Sequence, residues 1–105
     1  MIINETFNFE VAEKDEPGKM TWNEAMEKFK NNPEGWRLPT RMELLLMYEH
    51  REELGSFGKT WYWSSTTDRR NYAYGQDFYD GNQNWSHRDD DYRVRCVRDI
   101  NKEEK

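Results

Sequence analysis

Helix-start signals crowd into the first half of this chain, and helical periodicity is absent from the second. "TWNE" (21–24) places Thr21 three residues before Glu24, and "TRME" (40–43) places Thr40 three before Glu43. Each is a capping box, in which hydroxyl and carboxylate satisfy orphan N–H groups reciprocally, with the acid also favoured by the helix dipole. After the first box, Trp22, Ala25, Met26 and Phe29 recur at i, i+3, i+4, i+7, one apolar face of a helix that "NNPEG" ends. After the second, Met42, Leu45, Leu46 and Tyr48 or Glu49 continue a helix to about Arg51, which "ELGSFGK" breaks.

The rest reads as short strands. "ETFNFEVA" alternates Phe7, Phe9 and Val11 with polar residues, and "EKDEPGK" turns the chain. "TWYWSST" puts Trp61 and Trp63 on one face, and further strands are expected near 72–79, 82–87 and 92–99. Asp80-Gly81 is a hairpin-turn signal between two of them, and Val94 and Cys96 share a face of the last. With helices early and sheet late, the class is α+β, one domain over 1–100 with a charged tail at 101–105.

At 105 residues there is room for one modest core. Charged residues are 35% and hydrophobic ones 34%, so the 15% aromatics must supply much of the buried area. A net charge of −5 lacks the basic footprint of a nucleic-acid binder. Cys96 is the one cysteine, which rules out an internal disulfide or a cysteine-based zinc site; it reads as a small buried side chain. No stretch reaches membrane-spanning length, and the start lacks a basic n-region followed by an apolar run. Cytoplasmic synthesis without a signal peptide, no membrane insertion and no cofactor are the expectations, with the protein virion-associated or released.

The charged vocabulary changes part-way along. Residues 1–67 hold eleven Glu, five Lys and five Met, whereas 68–98 hold none of the three. β-propensity does not explain this, because strands disfavour Asp and Asn as much as Glu and Lys, and both abound here. Tyr, Ser, Gly, Asn and Arg are the residues of adaptable binding surfaces: rigid amphipathic rings for area, short polar groups for hydrogen bonds.

"GWRLPTRMELLLM", "YWSST" and "VRCVR", in that order, resemble the C-type-lectin-fold domain at the C-terminus of collagen-like bacterial adhesins, over about Trp22 to Arg98. The resemblance implies two early helices packed on a twisted antiparallel sheet, with N- and C-terminal strands near each other. It also implies scaffold roles for Trp36, Trp61 and Trp63 as core rings, and for Arg37 and Arg95 as ties between loops. Calcium-dependent sugar binders of this fold carry Glu-Pro-Asn or Gln-Pro-Asp and Trp-Asn-Asp triplets; "NPEG" and "NWSH" stand here instead, so no metal is implied. The formylglycine-generating branch needs a cysteine pair with copper, which one cysteine cannot supply.

Some members of this group are similar to variable proteins of diversity-generating retroelements, whose template adenines are randomised. Asparagine codons changed in their first two bases yield Tyr, Asp, Ser, His, Arg, Gly or Thr, never Lys, Glu, Gln, Met or Trp. On that basis the variable ligand-binding positions are Tyr72, Tyr74, Asp77, Tyr79, Asp80, Asn84, Ser86, His87, Arg88, Asp89, Asp90, Asp91 and Tyr92, with Gln76, Gln83 and Trp85 as invariant scaffold. Strand alternation would bring Tyr72, Tyr74 and Tyr79 together with side chains of 84–92 on one exposed face, a third of the tyrosines being core.

Catalysis is not expected: Ser86 and His87 are adjacent on a strand and face opposite ways, and His50 sits where it would serve a helix C-terminus. The Asp89-Asp90-Asp91 run reads as a solvated loop, since neighbouring carboxylates on an extended chain diverge. The leading reading is a monomeric or weakly oligomeric, calcium-independent binder of a protein or cell-surface glycan, with a diversified face. Two others stay open. One is a fixed-specificity carbohydrate or glycosaminoglycan binder using Arg69, Arg70, Arg88 and Arg93; the other is a structural subunit of a virion or surface complex.

Overall fold

The computed structural model describes residues 8–55, 57–68, 70 and 72–100. In chain order it contains β1 (Phe9–Val11), α1 (Trp22–Phe29), α2 (Arg41–Glu49), α3 (Arg51–Leu54), β2 (Trp61–Thr67), β3 (Tyr72–Asp77), β4 (Gln83–His87) and β5 (Val97–Asp99). The expected α+β class is present, with an arrangement compatible with a C-type-lectin-like fold. Phe7 and Arg69 lie outside the described residues.

Both capping boxes form. Thr21 and Thr40 accept from the N–H of Glu24 and Glu43 at 3.2 Å, and each glutamate accepts back at 2.9 Å. On α1 the expected face holds: Ala25 is buried, and Trp22, Met26 and Phe29 pack beside it. On α2 it is rotated. Leu44 and Met47 point into the core, Leu45 and Leu46 are half-buried, and Met42 is 59% exposed. The run Leu44-Leu45-Leu46-Met47 is apolar all round, so periodicity could not choose its face. Fixed ties choose it: Arg37 clamps Glu43 at 2.8 and 2.9 Å, and the Arg41 N–H donates to Thr66 Oγ1 at 3.0 Å.

Two antiparallel sheets form. β1 pairs with β5, Val11 opposite Val97, bringing the first and last strands together as expected. The other sheet has the order β2-β3-β4. The strand expected at 92–99 is regular only from Val97. Before that the chain crosses between sheets, changing partners: Tyr92 bonds Met20, Arg93 bonds Trp61 and Trp63, Val94 accepts from Glu16 and Cys96 from Ala12.

The three-stranded sheet is covered on both faces. Tyr62 and Trp63 are successive, hence opposite-facing, and both are fully buried. Tyr62 joins Leu44, Met47, Phe78 and Val97 beneath α2, whereas Trp63 joins Ala25, Leu38, Ala73, Val94 and Cys96 beneath α1. Trp36 and Trp61 are half-buried at the rim of the core rather than inside it. Arg95, wholly buried, donates to Asp15 at 2.7 Å with its guanidinium over the Phe57 ring, the loop-tying role expected of it.

Candidate ligand-binding face

The register of β3 and β4 decides what reaches the surface. Tyr72 lies opposite His87, Tyr74 opposite Trp85, and Gln76 opposite Gln83. Directly opposed residues share a face, so these six side chains stand on the α2 side of the sheet. α2 covers only one end of it. Gln76 is fully buried there, its Nε2 donating to the Gly81 carbonyl at 2.7 Å. Beyond the helix, Tyr72 is 38% exposed, Trp85 is 42% exposed, and His87 is exposed as well.

The exposed groups hold one another in place. Tyr74 meets Trp85 edge-on with centroids 4.4 Å apart, and Tyr72 meets His87 edge-on at 5.9 Å. Arg41, at the start of α2, sets its guanidinium 4.4 Å from the Tyr74 centroid. The Asp89 carboxylate stands 3.6 Å from His87 Nδ1, and Asp89, Asp90 and Asp91 are all exposed in the following loop. The patch is thus aromatic at its centre, cationic toward α2 and acidic toward the 88–91 loop.

Not every expected site residue reaches this face. Ser86 is buried on the opposite side, accepting from the Tyr92 hydroxyl at 2.9 Å. Tyr92 is half-buried against Trp61 and Trp63, and burial of its phenol raises its pKa. Gly75 lets that ring approach; a Cβ there would come within 3.0 Å of it. The reason is parity: 86 falls on the opposite pleat from 85 and 87, while 92 belongs to the crossing segment that roofs it. Asn84, also on that side, is exposed, its side chain accepting from the Trp85 N–H. Arg88 is half-buried with its guanidinium over Trp22 at 4.6 Å.

Asp77, Tyr79 and Asp80 sit apart, at the hairpin's closed end. Asp77 and Asp80 brace the turn by accepting from the N–H groups of Tyr79 and Asn82. Tyr79, 70% exposed, lines a cavity of about 440 Å³ with Arg51, Phe57 and Lys59. It does not join Tyr72 and Tyr74, because Phe78 leaves the strand to enter the core. The expected arginine cluster is likewise not assembled from described residues: Arg88 stacks on Trp22 and Arg93 lies 3.9 Å from Asp15, leaving Arg70 exposed.

Two residues of the face were missed from sequence. Trp85 is expected from sequence as invariant scaffold rather than as a site residue, and Arg41 carries no expected role beyond its place in the second capping box. The hairpin signal could have found Trp85, since a two-residue turn at Asp80-Gly81 opposes even positions of one strand to odd positions of the other and so faces 85 and 87 the same way as Tyr72 and Tyr74.

Two covered sheet faces and one bare aromatic corner make this a small α+β domain compatible with C-type-lectin-like architecture. The chain belongs to the Lcl C-terminal domain family, whose model matches residues 6–98, and this places it with adhesin-like binding domains. No curated protein matches the chain. No helix among the described residues is long and apolar enough to cross a membrane.

Proposed function

We propose that this protein is a non-catalytic, calcium-independent receptor-type module whose β3–β4 face and 88–91 loop are diversified by a retroelement. It takes a protein or cell-surface glycan as ligand, acting as a monomer or weak oligomer. The observation that carries the reading is a coincidence of two independent patterns. The strand register presents Tyr72, Tyr74, Trp85 and His87 together, and all four fall within the stretch devoid of Lys, Glu and Met. Exposed Tyr and Trp at the centre with short polar groups around them is the composition that yields adaptable contact area at low entropic cost.

The test is sequencing of the gene and its flanks from many individuals of the source. A near-copy of the 3′ end, differing where it carries adenines and lying beside a reverse transcriptase, is the expected finding. Codons for Tyr72, Tyr74, His87 and Asp89 to Asp91 then vary, while Gly75, Trp85 and Cys96 stay fixed and the inward-packed positions 86 and 92 accept few replacements. Uniform codons with no such copy would return the domain to a fixed-specificity binder.

A further inference from the structure

Arg41 differs from the three arginines that tie the sheets by ion pairs. Arg37, Arg95 and Arg98 are each held by carboxylates, of Glu43 and Asp99, Asp15, and Glu10 respectively. The Arg41 guanidinium makes no ion pair with a described residue and lies over the Tyr74 ring instead. Its backbone is fixed from both sides, the N–H donating to Thr66 Oγ1 at 3.0 Å and the carbonyl accepting from Gln83 Nε2 at 2.9 Å. Arg41, Tyr74 and Trp85 therefore form a continuous chain of ring contacts from α2 to β4, the guanidinium over the phenol and the indole edge-on to it.

Arg41 lies outside the 68–98 stretch, and adenine changes in asparagine codons yield neither Gln83 nor Trp85. This set of contacts thus combines constant residues with Tyr74, and its surroundings are the residues proposed to vary. We propose that Arg41 and Trp85 are a fixed anchor for a protein partner, Arg41 taking a carboxylate side chain and Trp85 an adjacent apolar side chain. The inference rests on the reading of this face as the binding face.

Three features favour a protein over an acidic polysaccharide. Trp, Tyr and Arg at the centre of a polar rim are the residues that dominate protein–protein binding energy. Cavities of about 500, 440 and 480 Å³ lie along α1, beside the hairpin turn and around α3, and Tyr72, Tyr74, Trp85 and His87 line none of these. A polyanion on Arg41 would also run along the carboxylates of Asp89, Asp90 and Asp91, on a chain of net charge −5. A lone carboxylate flanked by apolar surface meets no such repulsion.

The experiment is an NMR titration of the full chain, following the Trp85 indole N–H and the Arg41 Nε–H. The probes are acetyl-Phe-Glu-amide, acetyl-Phe-Gln-amide and glucuronate. The expected result is a saturable shift of both signals with the Glu peptide, at least fivefold weaker binding of the Gln peptide, and the same loss in Arg41→Gln. Arg41→Lys retains part of the affinity. If both peptides shift Trp85 equally and Arg41→Gln changes nothing, the anchor is wrong while the face stands. If glucuronate binds and the peptides do not, the partner is a glycan and the proposal is overturned. If no probe moves Trp85, both the anchor and the reading of the face fall.

Discussion

Asp15 and Arg95 meet at 2.7 Å across eighty residues of chain, with the arginine wholly buried and the acid's side chain 14% exposed. The same carboxylate accepts from the Tyr62 hydroxyl at 2.6 Å, and that oxygen in turn accepts from the Gly58 N–H at 2.8 Å. One acid thus joins the loop after β1, the start of β2 and the crossing segment. Asp15→Ala removes the carboxylate from a buried guanidinium, leaving it carbonyl and ring contacts, and the expected loss is about 3–5 kcal/mol in urea denaturation. Tyr62→Phe, which keeps the ring in the core, loses about 1–2 kcal/mol.

The capping boxes offer a smaller and separable effect. Thr21→Ala and Thr40→Ala each expose an orphan N–H and are expected to cost about 1 kcal/mol. The caps belong to different helices and share no hydrogen-bond partner, so the double variant should lose the sum to within about 0.5 kcal/mol. A markedly larger loss would mean that the two helices form as one unit.

Tolerance to substitution should split by sheet face. Alanine at Tyr72, His87 or Asp90, all exposed, is expected to change stability by no more than about 0.5 kcal/mol. Alanine at Tyr92 removes the ring packed on Trp61 and Trp63 and should cost about 3 kcal/mol. Thermal melts of single variants decide this, and comparable losses on both faces would refute the division of the stretch.

The Cys96 thiol supplies a pH dependence. Burial, with Glu16 adding to it, pushes its pKa from 9.0 up to about 12 in the folded chain. Above pH 9 the unfolded thiol ionises while the folded one keeps its proton, so the unfolded state binds fewer protons and stability falls as pH rises. The expected slope from this group is about 1.4 kcal/mol per pH unit between 9 and 12. Cys96→Ala should flatten that limb in denaturant titrations at pH 8, 9 and 10. Buried Tyr62 and half-buried Tyr92, whose phenols are also shifted upward, steepen the decline above pH 10 in both proteins.

The helix starts were legible because a capping box is a local chemical event: four residues state both donors and both acceptors. The inward face of α2 was not, since four consecutive apolar residues fit any rotation and only Arg37 and Thr66 select one. The hairpin shows the same division. Asp80-Gly81 marked the turn, and Gly81 does adopt φ 87°, where a Cβ would strike the Tyr48 ring at 2.7 Å. A turn of those two residues alone would oppose Tyr74 to His87; the observed connection, 78–82, opposes it to Trp85. That shift of two preserves parity, so the outward face was readable while its partners were not. Ser86 and Tyr92 were misplaced because residue type says nothing of which pleat a position occupies.

The pairing of β1 with β5 has a consequence for how the chain comes into being. Glu10 reaches Arg98 across 88 intervening steps, and contacts of such sequence separation make folding slow. On the ribosome, β1 waits without its partner until nearly the whole domain has been made. A frameshift or stop codon anywhere between Asp68 and Arg98 deletes β5 and leaves Val11 and the Arg37 backbone unpaired. Such a chain stays open to proteases, so the sheet closes only on a chain read through to its last strand.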